Sequence, residues 1–195
     1  MKFILASGSP RRREILESFF SEIEILPPHI DETVIPGENP ADYTLRIVNE
    51  KMDSVLAGGR GDALYLSADT IVTIDGIILG KPASRDEAFS MLSLLAGREH
   101  SVITGLCLVY FSGGVISRES VYDISDVRFK ELDADGINSY LDLINYRDKA
   151  GSYAAQEHGE IVVDSISGSV TNVIGLPLRL FFRMMGSADC MKYFF

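Results

Sequence analysis

Three arginines follow directly after a small polar turn near the start of the chain, and this combination suits phosphate binding. The segment reads Ala6-Ser-Gly-Ser-Pro-Arg-Arg-Arg13. A helix that begins here has free backbone N–H groups and the positive end of its dipole, which both attract anions. Because cations at this end are unfavourable without an anion, Arg11, Arg12 and Arg13 predict a ligand with several phosphates. The alternative is an ordinary capped helix with solvated arginines.

Carboxylates and lysines that could act on such a ligand occur in three further polar stretches. Asp69, at the predicted end of an apolar strand, can accept a proton from water or hold a divalent cation. Lys81 follows a predicted Asp75-Gly76 hairpin turn and can serve as a cation for phosphate. Glu32 and Lys51 lie in an acidic loop and in the next helix. Taken singly, each also fits a simpler interpretation as a turn residue or a solvated surface charge.

The last polar stretch is the loop Tyr146-Arg-Asp-Lys-Ala-Gly-Ser-Tyr153, which Gln156 follows closely. Its side chains include a cation, an anion, a hydroxyl and aromatic rings, with no apolar period. The amide of Gln156 both donates and accepts, which suits the reading of a base edge. Lys149 and Gln156 are therefore candidate substrate-binding residues, against the alternative of a solvated loop.

The overall composition excludes several classes of protein. With 28 acidic and 18 basic residues among 195, the net charge is −10, which argues against a general nucleic-acid binder. The two cysteines form no CxxC motif, and the histidines lack zinc-ligand spacing. We expect a cytoplasmic protein, because we find neither a secretory signal nor an apolar run of membrane-spanning length.

Strands and helices alternate along the hydrophobic pattern, which predicts an α/β domain with a mixed sheet and flanking helices. Four helices are expected to begin after the caps Ser9, Asn39, Ser84 and Asp133. Gly58-Gly59 is expected to end the second helix, and Gly113-Gly114 to turn a long hairpin. The predicted strands are residues 2–6, 22–26, 63–66, 70–74, 77–79, 101–111, 115–129 and 161–163. The four helices are predicted to end near Phe20, Gly58, Gly97 and Ile144, and a fifth, closing helix is predicted over Leu178 to Met185.

Taken together, the polar stretches resemble the Maf family of nucleoside triphosphate pyrophosphatases along nearly the whole chain. Each stretch is weak alone, but all of them in this order are specific. The matching stretches are Ala-Ser-Gly-Ser-Pro-Arg-Arg (6–12), Asp-Glu (31–32), Pro-Gly-Glu-Asn-Pro (36–40), Ala-Asp-Thr (68–70), Leu-Gly-Lys-Pro (79–82), Leu-Ala-Gly-Arg-Glu-His-Ser-Val-Ile-Thr-Gly (95–105), Asp-Lys-Ala-Gly-Ser-Tyr (148–153) and Asn-Val-Ile-Gly-Leu-Pro-Leu (172–178).

The resemblance implies a single domain over residues 1–195 with a fold like that of the inosine triphosphate pyrophosphatases. Such a fold has an elongated mixed sheet and two lobes around a cleft. The implied reaction is hydrolysis of a nucleoside triphosphate between the α and β phosphates, with Mg²⁺, Mn²⁺ or Co²⁺, giving the monophosphate and pyrophosphate. Members of that family are usually described as cytoplasmic and often as dimers, so the resemblance implies a cytoplasmic protein that can form a homodimer.

The resemblance also implies roles for individual residues. Asp69 would accept the proton of the attacking water. The residues that would grip the phosphates are Ser7, Arg12, Lys51 and Lys81. Glu32 would either hold the cation together with Asp69 or act as a second base. Because Mg²⁺ and Mn²⁺ prefer oxygen ligands, the cation would be bound mostly through the substrate.

Three positions divide the family by substrate. The branch that acts on dTTP and UTP has Arg, Thr and Gln at the positions of Arg11, Thr70 and Gln156, as this chain does. The branch that acts on 7-methyl-GTP typically has an aromatic residue, Gln and Glu there. That activity remains an alternative, as does a nucleotide-binding regulator of septum formation with little turnover. In one departure, Glu157-His158 stand where the family usually has Gly directly after the Gln.

Overall fold

The computed structural model describes residues 1–58, 61–113, 115–188 and 190–193. The strands are β1 (Lys2–Ala6), β2 (Ile23–Ile25), β3 (Ala63–Ile74), β4 (Ile77–Leu79), β5 (Glu99–Ser112), β6 (Val115–Phe129) and β7 (Val163–Ser167). The helices are α1 (Pro10–Glu17), α2 (Pro40–Ala57), α3 (Arg85–Leu95), α4 (Ala134–Leu143), α5 (Gly159–Val162), α6 (Val170–Ile174) and α7 (Leu178–Ser187). None of the described helices is both long and apolar enough to cross a bilayer.

The strands form one seven-stranded mixed sheet, which confirms the predicted α/β class. The order is β2-β1-β3-β5-β6-β7, and β4 pairs with β3 off this path. β1 pairs in parallel with both β2 and β3, because the intervening helices α1 and α2 return the chain to the same end of the sheet. β4 and β7 run antiparallel to their partners β3 and β6.

The chain divides into two compact units. Unit 1 contains Met1–Asp69, Thr104–Asp123 and Gly175–Phe195, and unit 2 contains Thr70–Ile103 and Ile124–Ile174. β3, β5 and β6 therefore each contribute residues to both units. The predicted cleft between two lobes stays a prediction.

Unit 1 has an apolar cluster on each face of β1, since side chains alternate along a strand. Phe3 packs with α1 and α7, where its ring centroid lies 4.5 Å from that of Phe20 and 6.0 Å from that of Phe181. Ile4 points to the other cluster, which includes Val48 on α2. This packing holds the start of α1 and the middle of α2 against the sheet.

Unit 2 has its own core between the sheet and the helices α3 and α4. Val72 of β3 and Leu92 of α3 are buried there with Tyr140 of α4. Both helices have their predicted N-caps. The side chain of Ser84 accepts from the Glu87 N–H, and that of Asp133 accepts from the Gly136 N–H. The predicted cap of α2 is also present, with Asn39 accepting from the Asp42 N–H.

The first helix begins at Pro10 after Ser9, as predicted, but the prediction was wrong about the capping bond and about the end of the helix. The Ser9 side chain makes no capping hydrogen bond, and its own N–H donates to Oγ of Ser7 at 3.3 Å. The helix ends at Glu17, because the next turn tightens and the Phe19 N–H bonds to Leu16 O at 2.9 Å.

The prediction of two strands around a polar break at residues 67–69 was also wrong. β3 runs through without a break, so Asp69 lies within a strand and not at its end. The polar side chains are tolerated there because α2 supplies partners for them. Ser67 Oγ donates to Val48 O at 2.6 Å, and Asp69 binds Lys51.

The predicted strand at 161–163 is mostly helical. α5 occupies Gly159–Val162, and β7 begins only at Val163. A short apolar run does not distinguish helix from strand, which explains the error. The predicted turn residues Gly59 and Gly114 lie outside the described residues.

Candidate active site

A buried ion pair joins Lys51 and Asp69 within unit 1. Lys51 lies on the buried face of α2, one turn after Ile47 and Val48, so helix packing brings its long side chain to the sheet. Its Nζ is 2.6 Å from Oδ1 of Asp69, and the two side chains are only 9% and 10% exposed. Burial of both charges is tolerated because they are paired.

Glu32 binds to the same lysine. Its Oε1 lies 2.9 Å from Lys51 Nζ, and its side chain is 45% exposed, in contrast to that of Asp69. The lysine therefore lies between one buried and one accessible carboxylate. Because the ammonium lies between them, the two carboxylates can be close together with less mutual repulsion.

Two side chains of α2 anchor the irregular segment that carries Glu32. The hydroxyl of Tyr43 donates to the carbonyl of Glu32 at 2.9 Å. Burial, followed by the charges of Asp69 and Glu32, raises the pKa of Tyr43, so the phenol remains a donor. One turn later, the Arg46 guanidinium donates to the Thr33 carbonyl at 3.1 Å and binds the Glu38 carboxylate. The position of Glu32 thus depends on α2.

The polar turn after β1 holds a buried arginine. Arg12 is 8% exposed, and its Nε donates to the carbonyl of Gly175 at 2.9 Å. One of its terminal nitrogens donates to Ser7 Oγ, also at 2.9 Å. The backbone of Gly175 has φ +113°, a value that favours glycine. The two hydrogen bonds, to Gly175 and to Ser7, therefore fix the orientation of the guanidinium.

The electrostatics relate Arg12 to the carboxylates described above. Burial lowers the pKa of Arg12 to about 10, the charge of Asp69 opposes this decrease, Arg11 adds to it, and Glu32 opposes it. The Ser7–Arg12 turn therefore lies within electrostatic range of both carboxylates. A further anion could be bound favourably here, because it would add the negative charge that a buried guanidinium favours.

Unit 2 brings together the Lys81 loop and the polar loop at 146–153. The N–H of Gly151 donates to the carbonyl of Gly80 at 3.1 Å. Gly151 has φ +65°, and a Cβ on it would come within 2.9 Å of the Val72 side chain. Only glycine fits this close approach to β3. Lys81 itself is exposed and available to a ligand.

Lys149 and Gln156 lie in this second group and have different environments. Lys149 is 3% exposed, and its Nζ contacts the Asn145 carbonyl at 2.7 Å and the carboxylates of Asp148 and Glu157 at 3.0 and 3.2 Å. Gln156 is exposed, and its Nε2 donates to Oε1 of Glu157 at 3.4 Å.

The predicted site residues therefore fall into two groups. Unit 1 holds Ser7, Arg11, Arg12, Glu32, Lys51 and Asp69, and unit 2 holds Thr70, Lys81, Lys149 and Gln156. Within unit 1, hydrogen bonds, ion pairs and charge interactions bring the members together. The meeting of both groups in a single cleft stays a prediction.

Several residues that position these groups carry no signal in the sequence. Tyr43 and Arg46 look like ordinary α2 residues, because nothing local identifies the backbone carbonyls that they bind. Gly175 belongs to the stretch 172–178, which contributes to the family resemblance, but the sequence predicts no role for this stretch. Its contact with Arg12 spans 163 residues and could not be found from spacing. The only signal at Glu157 is its departure from the family pattern.

The carboxylates offer a limited set of ligands for a cation. In the described part of the chain, no three His, Cys, Asp or Glu side chains are grouped so that they could hold a metal ion. Asp69 and Glu32 nevertheless share Lys51 and present hard oxygen atoms. This donor set fits Mg²⁺, which uses one or two carboxylates together with substrate phosphates and water.

A family model and individual known proteins both match this chain along nearly its whole length. The family model described as Maf-like protein matches residues 2–188. A Pyrococcus furiosus protein named dTTP/UTP pyrophosphatase is 39% identical over 194 residues, which cover 100% of this chain and 99% of that protein. A Syntrophus aciditrophicus protein of the same name is 44% identical over 177 residues, covering 91% and 85%.

One solved structure supports the fold. The Staphylococcus aureus Ham1 protein aligns with a TM-score of 0.52 at 10% sequence identity. The alignment covers 96% of this chain and 100% of that one. At this identity the similarity concerns the architecture alone.

Proposed function

The chain belongs to the Maf family, and on that premise we propose that it hydrolyses dTTP and UTP to the nucleoside monophosphate and pyrophosphate. The family match covers residues 2–188, and the relatives named dTTP/UTP pyrophosphatase align over nearly their full length. The observation that carries the proposal for the chemistry is the buried Lys51–Asp69 pair, which lies within electrostatic range of Arg12.

In the proposed mechanism, Asp69 accepts the proton of the attacking water. Lys51 binds Oδ1 and so aims the carboxylate, and we assign Oδ2 to the water. As the water oxygen bonds to the α phosphorus, the bond from that phosphorus to the bridging oxygen breaks and pyrophosphate leaves. A base held by an ion pair on a central strand has little freedom to turn away, as general-base catalysis requires.

We assign the phosphate chain to the predicted cations. Arg12 already has its guanidinium direction set by Gly175 and Ser7, so little entropy is lost when it binds an oxyanion. Arg11 and the exposed Lys81 would add charge where pyrophosphate departs. Stabilisation of this developing charge is the main task in phosphoryl transfer.

A divalent cation is part of the proposal. Asp69 and Glu32 would hold it, with substrate phosphates and water as the remaining ligands. When bound, the cation would neutralise charge on the phosphates. Whether Glu32 is a ligand or a second base is decided by the metal dependence of a Glu32→Gln variant, because loss of a ligand raises the Mg²⁺ concentration needed for half-maximal activity.

The base side of the site is assigned to Thr70 and to the segment from Lys149 to Gln156. The residues Arg11, Thr70 and Gln156 follow the pattern of the pyrimidine branch. Gln156 is exposed and has both a donor and an acceptor, as the edge of uracil or thymine requires.

We also propose how the chain works as a whole. Residues 1–195 would act as a single domain, since the Pyrococcus furiosus relative aligns with the complete chain. The side chains of Cys107 and Cys190 are buried, and their thiol state suits the reducing cytoplasm that we propose as the location of the protein. The family resemblance leads us to propose a homodimer, which sedimentation equilibrium would test.

The decisive experiment is a panel of nucleoside triphosphates scored by pyrophosphate release, in Mg²⁺, Mn²⁺ or Co²⁺ and again with a chelator. We expect dTTP and UTP to be the best substrates and the chelator to abolish turnover. Preference for 7-methyl-GTP would move the chain to the other branch. Stoichiometric binding of nucleotide without pyrophosphate would instead support a regulator.

A further inference from the structure

We propose that Glu157 fixes the direction of the Gln156 amide and thereby makes the enzyme prefer uracil and thymine over cytosine. This inference rests on the proposed function, since it concerns the base side of the same site. Lys149 is the anchor of the arrangement and acts as a positioning residue. Two consecutive contacts form the arrangement, the first from Lys149 to Glu157 and the second from Glu157 to Gln156.

The first part of the arrangement is the buried ammonium of Lys149. Its Nζ has the Asn145 carbonyl at 2.7 Å, an Asp148 oxygen at 3.0 Å and Oε2 of Glu157 at 3.2 Å. An ammonium group has three hydrogens, and these acceptors account for them. Lys149 can therefore hold Glu157 firmly but would have to release a partner in order to bind phosphate.

The second part is the other oxygen of the same carboxylate. Oε1 of Glu157 accepts a hydrogen bond from Nε2 of Gln156 at 3.4 Å. An ionised carboxylate only accepts hydrogen bonds, so it attracts the NH₂ side of the amide and repels its oxygen. Glu157 thus determines which way round the Gln156 amide lies.

The backbone limits the freedom of both residues. On one side, the Tyr140 hydroxyl accepts from the Ala154 N–H at 3.1 Å. On the other side, α5 begins at Gly159, directly after His158, whose backbone has φ +53°. The short segment that carries Gln156 and Glu157 is therefore attached to structure at both ends.

The direction of the amide matters because uracil and cytosine present opposite patterns. Uracil and thymine offer an N3–H donor beside the O4 acceptor, whereas cytosine offers an N3 acceptor beside an amino donor. A glutamine amide pairs with either base, but it must turn by about 180° between them. An amide whose NH₂ is held by Glu157 has one hydrogen left for O4 and its oxygen free for N3–H.

The test measures kcat/KM for UTP and CTP in the wild type and in Glu157→Gln. The new amide can donate or accept, so it no longer dictates the direction of Gln156. We expect the UTP-to-CTP preference to fall about tenfold, mainly through a lower KM for CTP, because a paired base edge contributes discrimination on this scale. Turnover of UTP should stay within about twofold, since the phosphate side is untouched.

The matched control is Glu160→Gln. It removes the same charge three residues later, from a carboxylate that is 77% exposed and faces His158 at 3.9 Å. We expect it to retain the wild-type preference. An unchanged preference in folded Glu157→Gln would overturn the inference while leaving the proposed function intact. A wild-type enzyme without activity on UTP would overturn both.

Two further variants keep the inference testable if Glu157→Gln does not fold. Glu157→Asp retains the charge near Lys149 but shortens the reach to Gln156, and it should weaken the preference in the same direction. In a Gln156→Ala background, either change at 157 should have no further effect on the preference. An effect that persists without Gln156 would contradict the positioning role.

Discussion

The ammonium of Lys51 lies 2.6 Å from Oδ1 of Asp69, although the two residues are 18 positions apart in the sequence. α2 supplies the cation and β3 supplies the anion, so helix packing on the sheet creates the pair. The pair has two consequences that can be measured separately, one for catalysis and one for stability.

For catalysis, Asp69→Asn should lower turnover at least about 100-fold while nucleotide binding persists, because the amide keeps its size but cannot accept a proton. Pyrophosphate release measures the first effect, and calorimetric titration with dTTP measures the second. Asp142→Asn, which removes an exposed carboxylate paired with Arg85, serves as the control and should behave as the wild type. Turnover near the wild-type level in Asp69→Asn would remove Asp69 from the chemistry.

For stability, Lys51→Met should lower the free energy of unfolding by about 3 kcal/mol, because it leaves a buried carboxylate without its cation. Urea unfolding measures the change. The double variant with Asp69→Asn should lose less than the sum of the single losses, because the second change removes the unpaired charge. Additive losses would mean that the two side chains do not interact in solution.

Local signals predicted much of the fold. The caps Asn39, Ser84 and Asp133 were predicted correctly, because a capping bond joins residues only three positions apart. The errors arose where distant partners decide the structure. Asp69 was predicted to end a strand, but partners on α2 allow β3 to continue.

The candidate site shows the same division between local and distant information. The residue types of Ser7, Arg12 and Asp69, taken together with the other polar stretches, predict phosphate chemistry from the sequence alone. Their spatial relations are not predictable in the same way. Arg12 depends on the carbonyl of Gly175, and any residue presents a carbonyl, so the sequence holds no mark of the contact.

The anchoring of Glu32 by α2 gives a prediction about local motion. Tyr43→Phe removes the hydrogen bond to the Glu32 carbonyl but keeps the ring. The protein should therefore still fold, and its free energy of unfolding should fall by about 1 kcal/mol. Hydrogen exchange at residues 31–35 should become faster, because local opening becomes easier. Tyr122→Phe, at an exposed tyrosine, is the matched control. Unchanged exchange in Tyr43→Phe would show that other contacts hold the segment.

His100 gives a prediction about pH. The residue is 3% exposed, its Nε2 lies 2.9 Å from the Tyr153 hydroxyl, and its Nδ1 has no hydrogen-bond partner among the described residues. Burial lowers the pKa of His100 to about 4, and the nearby Asp126 only partly opposes this decrease. Burial also raises the pKa of Tyr153, so the phenol stays protonated beside the neutral imidazole.

The sign of the effect follows from where the proton binds. In the unfolded chain the imidazole has a pKa near its usual value of about 6.5, so it takes up a proton before the folded protein does. The free energy of unfolding should therefore fall as the pH decreases from about 6.5 to about 4, by up to roughly 3 kcal/mol from this residue. His100→Gln, whose amide can still form a hydrogen bond with the Tyr153 hydroxyl, should lack this component. Urea unfolding across this pH range, with the exposed His29→Gln as control, isolates the difference, because each variant lacks one imidazole and only one of the two imidazoles is buried. Parallel curves for wild type and His100→Gln would mean that the buried imidazole is not held neutral by the fold.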